Sequence, residues 1–322
     1  MSVPLSILDL AFVRSDQSVG EAFADVVTFA RHAEALGYRR IWYAEHHNFP
    51  SIASSATSVL IAHVAAHTRT IRLGAGGIML PNHSPLVIAE QFGTLASLHP
   101  GRIDLGLGRA PGTDPETIRA LRVRPHAAEA FPEDVLELQA LLGDESPFPG
   151  VSAMPGRGTH VPLYILGSSL FGARLAARLG LPYAFASHFA PAALHPAVEL
   201  YRSEFRASKQ LALPYVIAGV NAFAADTRAE AEEHFRQALR ARVRALFGRG
   251  KTFSDEDVEL ILDSPAGEHV KVMGTYSAIG TRSEVKSYVD EFARRAHADE
   301  VIVVHAARTL EARMRSAELL IG

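Results

Sequence analysis

Short apolar runs alternate with amphipathic segments along almost the whole chain. Eight runs have the length and the β-rich composition of buried strands, and they cover residues 5–10, 40–44, 71–76, 103–108, 163–166, 183–187, 215–224 and 301–304. Helical patterns cover residues 20–36, 54–67, 85–98, 128–142, 169–179, 192–207, 227–247, 281–296 and 308–320. Successive parallel strands need a crossover helix between them. The alternation therefore predicts an α/β fold with one (β/α)8 TIM-type barrel domain over residues 1–322.

The punctuation between these segments supports the same interpretation. Gly37 and Gly180 stand where C-terminal helix caps belong, and Pro85 stands where a first helical turn tolerates proline. Two segments break the rhythm, as insertions before strand five (143–162) and before strand eight (248–280). The second is predicted to hold one helix, 254–262, and both are expected to decorate the barrel.

Composition removes several classes of function. The net charge of −3 offers no basic field for nucleic acid or an anionic membrane, and the arginines of 236–249 are interpreted as solvated helix faces. The absence of cysteine excludes disulfides, thiol nucleophiles and cysteine-ligated metals. No signal peptide or membrane-spanning run is visible, so a cytoplasmic location is expected.

The segment 41–47 ends an apolar strand in a carboxylate and two imidazoles, Glu45, His46 and His47. Parallel βα folds place their chemistry at such strand ends, and histidine titrates near neutrality. Proton transfer, metal binding and simple backbone hydrogen bonding all remain open on this evidence. No metal site is predicted, because no His-Glu-x-x-His motif occurs and the helical pair His63 and His67 lies away from any strand end.

Three glycines in four residues, at 74–77, close another predicted strand. The alternatives are a tight barrel turn and a place where a ligand meets bare backbone, and the apolar segment that follows favours the second.

Two further strand ends carry groups suited to an anion. The segment 106–112 half-resembles a dinucleotide fingerprint, but its glycine spacing is wrong and Pro111 prevents a helix from opening there, which leaves Arg109 at a strand end. Gly167, Ser168 and Ser169 then open a predicted helix. Serine is a favoured N-cap, yet free N–H groups at a helix start also bind phosphate. Together the two pieces predict one anion site.

These elements, in this order, resemble the bacterial luciferase-like family of flavin-dependent monooxygenases. The resemblance rests on Ala-Glu-His-His-Asn at 44–48, on the sixteen-residue motif at 80–95 that begins Leu-Pro-Asn-His-Ser-Pro, and on Pro-Gly-Arg-Ile-Asp-Leu-Gly-Leu-Gly-Arg-Ala-Pro-Gly at 100–112. The resemblance covers nearly the whole chain, and only the segment 245–275 differs from the family pattern.

The resemblance implies a TIM-type barrel that binds FMN at the C-terminal ends of its strands. By this resemblance His46 is the catalytic residue. Ala75, Gly76 and Gly77 are expected to form a backbone bulge with a non-proline cis peptide. Arg109 and the 167–169 turn are expected to contact the phosphate. A second phosphate arginine of the family has no clear counterpart among Arg119, Arg122 and Arg124.

The resemblance also implies O2 and a small organic substrate, a homodimer, and reduced flavin supplied by a separate NAD(P)H:flavin reductase. The alternatives are an F420-dependent oxidoreductase on the same barrel, a flavin-binding protein without turnover and, disfavoured by its missing ligand motifs, a metal-dependent hydrolase.

Overall fold

The eight predicted strands form a closed parallel barrel in the computed structural model, which describes residues 3–110, 113–248 and 253–322. The strands of the described residues are β1 (Leu5–Asp9), β2 (Arg40–Tyr43), β3 (Arg72–Met79), β4 (Ile103–Gly108), β5 (Leu163–Gly167), β6 (Tyr183–Phe185), β7 (Val216–Ala224), β8 (Ser277–Gly280) and β9 (Glu300–His305). Around the barrel the order is β1 to β7 and then β9, which pairs with β1. The ninth strand, β8, extends the sheet from the C-terminal part of β7.

The helices surround the barrel and follow the predicted segments, except for two short helices at Pro115–Ala120 and Pro265–Met273 that were not predicted. They are α1 (Val19–Leu36), α2 (Thr57–His67), α3 (Pro85–Leu98), α4 (Pro115–Ala120), α5 (Phe131–Leu142), α6 (Leu170–Leu179), α7 (Leu194–Glu204), α8 (Arg228–Phe247), α9 (Asp255–Leu262), α10 (Pro265–Met273), α11 (Arg282–Arg295) and α12 (Leu310–Ile321). The predicted caps are present: Gly37 and Gly180 adopt positive φ, and Pro85 opens α3.

The two insertions differ in kind. The 143–162 segment packs on the outer wall, where Gly156 lies so close to Gly93 of α3 that a Cβ on Gly93 would be 2.1 Å from the Gly156 Cα. The 248–280 segment is more structured than its sequence indicates, since α10 and β8 accompany the predicted helix α9. A proline and a glycine in its first turn give α10 the composition of a loop, and Ser264 starts the helix by accepting from the Gly267 N–H.

Two apolar layers result from the alternation of side chains along the strands. Outward-facing residues such as Ile7, Ile41 and Leu73 pack with the helices in the larger core. Inward-facing residues fill the barrel in a smaller cluster that includes Leu8, Trp42 and, from β6 across the barrel, Ala184. The barrel is thus a packed core, and any ligand must bind at its ends.

A charged layer closes the barrel at the N-terminal ends of the strands. Arg40 donates to Asp104 at 2.6 Å and to Glu300 at 3.2 Å, and Tyr215 donates to Glu300 at 2.7 Å. Arg72 supplies a second cation to Asp104. Burial lowers the pKa of Arg40, but the two carboxylates more than offset that effect and raise it. Charges this deep are tolerated because each one has an opposite partner.

Candidate active site

Glu45 organises the end of β2 at the opposite, C-terminal end of the strands, here called the barrel mouth. Its buried carboxylate accepts from His47 Nε2 and His83 Nε2, both at 2.9 Å, and from the Met79 N–H at 3.0 Å. Burial raises the pKa of Glu45, but these hydrogen bonds and the charge of His83 outweigh it and lower the pKa to about 2. Glu45 is therefore an ionised hub that ties the β2 end to the segment after β3.

The adjacent histidines, His46 and His47, have different surroundings. The His47 ring is held by Glu45, whereas the partly exposed His46 ring lies edge-on to Phe49, with 5.6 Å between centroids. The His46 backbone N–H donates to the Ser54 carbonyl at 3.2 Å, which fixes the loop. The carboxylate thus anchors His47, and His46 is the member of the pair with its ring outside that hub.

A second histidine at the mouth, His188, was missed by sequence reasoning. It lies three residues after the end of β6. It is held against β7, because Ser187 Oγ donates to the Gly219 carbonyl at 2.6 Å and Asn221 Nδ2 donates to the His188 carbonyl at 2.7 Å. A Cβ on Gly219 would lie 2.5 Å from His188 Nδ1, so the glycine makes room for the ring. His46 was selected because an imidazole follows a predicted strand. The same rule applies to His188, which follows the predicted strand 183–187, and could have identified it.

His46 and His188 approach each other from opposite sides of the barrel. Three strands separate β2 from β6 in either direction around it. Burial, together with the charges of Arg242 and His46, lowers the pKa of His188 to about 3, so His188 is neutral at physiological pH. The mouth therefore holds two imidazoles, and the one at His188 is kept in the neutral form.

The glycine-rich segment forms the predicted bulge. The β3–β4 register shifts between Ala75 and Ile78, and the Gly76–Gly77 peptide is cis. A Cβ on Gly76 would be 2.6 Å from Leu8 Cδ1, and one on Gly77 would be 2.7 Å from the Gly106 carbonyl oxygen. Barrel packing thus already requires these glycines, and Gly76 retains partial exposure through which its backbone can meet a ligand.

The structure brings Arg109 and the 167–169 turn together. The exposed Arg109 guanidinium stacks on Phe171, in the first turn of α6, at 4.1 Å from the ring centroid. Gly167 ends β5, and Ser169 occupies the N-cap of α6 without a side-chain hydrogen bond to the helix; the first turn holds no acidic residue. A cation beside an uncapped helix start is a donor set that suits a phosphate.

The stretch after β4 also contacts the His46 loop. Asn48 Nδ2 donates to Asp114 Oδ2 at 3.1 Å, and Thr113 Oγ1 donates to the His47 carbonyl at 3.0 Å. The loop that follows Arg109 is therefore fastened to the loop that carries His46. Residues 111–112 of the sequence motif, including Pro111, lie outside the described residues, and α4 opens only at Pro115.

The second phosphate arginine is still not identified. Arg119 is exposed and pairs with Glu116 at 3.7 Å, and the charge of Arg124 acts on Asp134. Arg122 adopts a positive φ in an exposed turn. Among the described residues, no ion pair, hydrogen bond or ring contact links any of the three to Arg109 or to the α6 start. Arg109 is therefore the candidate arginine that lies beside the predicted anion site.

Comparison with known proteins settles the family. The family model described as luciferase-like monooxygenase matches residues 3–300. The chain belongs to this family. A relative from Escherichia coli (strain K12), named luciferase-like monooxygenase, is 46% identical, with 99% of this chain and 96% of the relative covered. An N-acetyl-S-alkylcysteine monooxygenase from Bacillus subtilis is 31% identical over 99% of this chain and 97% of the relative.

Solved structures of luciferase-like barrels agree with the fold. Apo-MsnO8 superposes with a TM-score of 0.85 at 32% identity, covering 99% of this chain and 97% of that one. Two more distant structures, at 18% and 16% identity, show the fold alone. One is the oxygenating constituent of the Pseudomonas putida 3,6-diketocamphane monooxygenase in complex with FMN (TM-score 0.73; coverage 99% and 97%). The other is an F420-dependent secondary alcohol dehydrogenase (TM-score 0.71; coverage 99% and 98%).

The described residues of this luciferase-like monooxygenase contain neither a candidate metal site nor a candidate membrane span. No group of three or more His, Asp or Glu side chains there has an arrangement that would hold a metal ion. No helix in that part of the chain is long and apolar enough to cross a bilayer.

Proposed function

We propose that this family member is an FMN-dependent monooxygenase that uses reduced flavin and O2 to oxygenate a small organic substrate. The observation that carries the proposal is the anion cradle at the start of α6, where Arg109 lies over Phe171 beside an uncapped helix terminus. FMN carries a phosphate, which this donor set suits. A distant barrel with the same fold was solved in complex with FMN, and barrels of this kind bind their ligands at the C-terminal ends of the strands.

Each part of the site has its own task in this proposal. When bound, the reduced flavin supplies the electrons that activate O2. Arg109 and the first amides of α6 hold the phosphate, and the Gly76–Gly77 backbone contacts the ring system. His46 gives or takes a proton at the reacting edge. The buried side chains of Ile78 and Leu80 keep water from that region.

An F420-dependent oxidoreductase is the alternative, because that branch uses the same barrel and the same phosphate end. Anaerobic equilibrium titration with FMN, riboflavin and F420 separates the two. We expect saturable binding of FMN, and weaker binding of riboflavin, which lacks the phosphate. Preferential binding of F420 would move the protein to that branch. If neither cofactor saturates, the flavin proposal is wrong.

The partners expected from the family resemblance belong to the same proposal. We expect a homodimer, which light scattering measures. A separate NAD(P)H:flavin reductase should supply the reduced flavin. Product formation with NADH should then require added reductase, and turnover with NADH alone would contradict this. The cytoplasmic location stays a prediction.

A further inference from the structure

The His188 ring lies inside the barrel mouth, against the interior face of β7. Side chains of β7 alternate between the two faces of the sheet, and Ile217 belongs to the inward-facing cluster, so Gly219 and Asn221 also face inward. A Cβ on Gly219 would lie 2.5 Å from His188 Nδ1 and 3.3 Å from its Cγ. The imidazole therefore occupies the interior space that a side chain at position 219 would fill, two residues nearer to the mouth than Ile217.

The contacts around His188 fix the ring in this place. Ser187 Oγ donates to the Gly219 carbonyl at 2.6 Å, and Asn221 Nδ2 donates to the His188 carbonyl at 2.7 Å. Both of these polar side chains are buried. The Phe189 ring stands edge-on to the imidazole, with 5.0 Å between centroids. The ring is thus held in position before any ligand arrives, as a recognition group must be.

The two ring nitrogens of His188 have different surroundings. Nδ1 is buried against Gly219 and has no hydrogen-bond partner among the described residues. The side chain as a whole stays partly exposed, so Nε2 is the ring nitrogen that a ligand can reach. A neutral imidazole carries its proton on one nitrogen only, and a buried N–H without an acceptor is rare. The proton therefore belongs on Nε2, which can donate to water or to a ligand.

The charge of His188 agrees with this geometry. Its pKa lies at about 3, so the ring is neutral at physiological pH. The group that faces the mouth is therefore an uncharged N–H donor. It can donate to an oxygen acceptor, but it brings no charge that would compensate an anion.

The floor of the mouth beneath this donor is apolar. Leu10, Leu166 and Ala306 lie at or just after the C-terminal ends of β1, β5 and β9, where they stay partly exposed and pack on the inward-facing cluster. Ligand sites commonly combine such apolar walls with a few polar groups that fix orientation. A charged group placed between this floor and His188 would lose water without gaining a counterion from the imidazole. The arrangement favours an uncharged ligand.

We propose that His188 is a specificity-determining residue whose Nε2–H donates to an uncharged acceptor oxygen on the organic substrate. The inference rests on the proposed function for its meaning and gives the substrate a class, an apolar body that carries an acceptor oxygen. His188 lies between β6 and β7, whereas Arg109 and the α6 start lie at β4 and β5 and serve the cofactor phosphate in the proposed function. The hydrogen bond of His188 is measurable without any flavin.

The test compares two probes of the same shape, acetophenone and α-methylstyrene, which carries a C=CH2 group in place of the C=O group. Both are titrated into the flavin-free wild type and its variants and followed by NMR. We expect the wild type to bind acetophenone about 3- to 10-fold more tightly. His188→Gln, whose amide donates from about the same place, should keep this preference, and His188→Leu should lose it. His67→Leu, which removes an exposed imidazole from the last turn of α2, is the control and should match the wild type.

A second measurement on the unmodified protein keeps the proposal testable if His188→Leu does not fold. Nitrogen-15 NMR distinguishes protonated from unprotonated ring nitrogens of histidine, and His188→Gln identifies the His188 signals by their loss. Between about pH 5 and pH 8 we expect a proton on Nε2 and none on Nδ1. A proton on Nδ1, a ring that becomes cationic in this range, equal wild-type affinity for the two probes, no saturable binding of acetophenone, or an unchanged preference in His188→Leu would each overturn the proposal.

The same variants separate the substrate contact from the flavin function. If His188→Leu loses FMN affinity and keeps the acetophenone preference, the donor serves the cofactor and the substrate assignment is overturned. If the wild type binds no FMN at all, the flavin function fails, and the acetophenone preference of the flavin-free protein still decides the role of His188.

Discussion

The two ends of the barrel hold their arginines in different surroundings. At the N-terminal end, Arg40 is buried between Asp104 and Glu300, and all three charges have partners. At the mouth, the exposed Arg109 stacks on an aromatic ring, and no ion pair joins it to an acid among the described residues. A satisfied network holds a fold together, whereas a cation without an acid partner can accept an incoming anion. The contrast separates a network that stabilises the fold from the end of the barrel where we propose that ligands bind.

The largest effect should come from breaking the N-terminal network at its centre. Arg40→Met leaves Asp104 and Glu300 buried with less compensating charge, so the free energy of unfolding should fall by about 3–5 kcal/mol in urea denaturation. Arg39→Gln is the control, because Arg39 is 45% exposed and 3.5 Å from the same Glu300. It should change stability by less than about 1 kcal/mol. Equal losses of unfolding free energy in the two variants would show that the buried Arg40 stabilises the network no more than the exposed Arg39 does.

At the mouth, the largest effect should be on chemistry and not on stability. His46→Ala should keep the thermal unfolding midpoint and FMN affinity nearly unchanged, because Glu45 anchors the loop through His47. Oxygenated product should fall by about 10²–10⁴-fold, the usual range for a general acid–base group, while reduced flavin is consumed to hydrogen peroxide. His47→Ala provides the matched comparison, and it should lower the thermal unfolding midpoint more than His46→Ala does. Normal coupling of flavin oxidation to product in His46→Ala would show that His46 handles no essential proton.

Glu45 is the paired carboxylate of the mouth and should give stability a pH dependence. Its pKa in the folded protein, about 2, is below the usual value of 4.5. The stabilisation is therefore complete above about pH 4.5 and is lost as the pH falls toward 2, by on the order of 3 kcal/mol. The difference in unfolding free energy between wild type and Glu45→Gln should narrow over that window. Parallel profiles for the two proteins would mean that the Glu45 carboxylate is not held ionised by its neighbours.

The smallest of these effects should be at the phosphate cradle. Arg109→Ala should weaken FMN binding about 10- to 100-fold and leave riboflavin binding nearly unchanged, since one charge-assisted contact is worth about 1.5–3 kcal/mol. Fluorescence titration of both ligands measures the difference. Arg119→Ala, which removes an exposed arginine paired with Glu116, is the control. Equal losses of the two ligands would assign Arg109 a structural role.

Local patterns were sufficient for most of the architecture. The eight barrel strands and the caps at Gly37 and Gly180 were predictable, because strand length, side-chain alternation and positive φ at glycine act within a few residues. The bulge at 75–77 was expected from its glycines and from the family resemblance, and Ser169 was expected at a helix start, but only the structure shows that its side chain does not cap the helix. His188 was within reach of the same rules, but a single histidine after a short strand carries a weak signal until its neighbours are known.

By itself, then, the sequence determined the barrel, its family and the strand ends where chemistry belongs. Only the tertiary structure decided which charges are paired. In the sequence Arg40 looks like any strand-start arginine, because burial and ion pairing depend on residues far along the chain. The side of the barrel that each charge faces, and the acids it meets there, are set by closure of the sheet. The same residue type thus has buried acid partners at one end of the barrel and, in Arg109, an aromatic partner at the other.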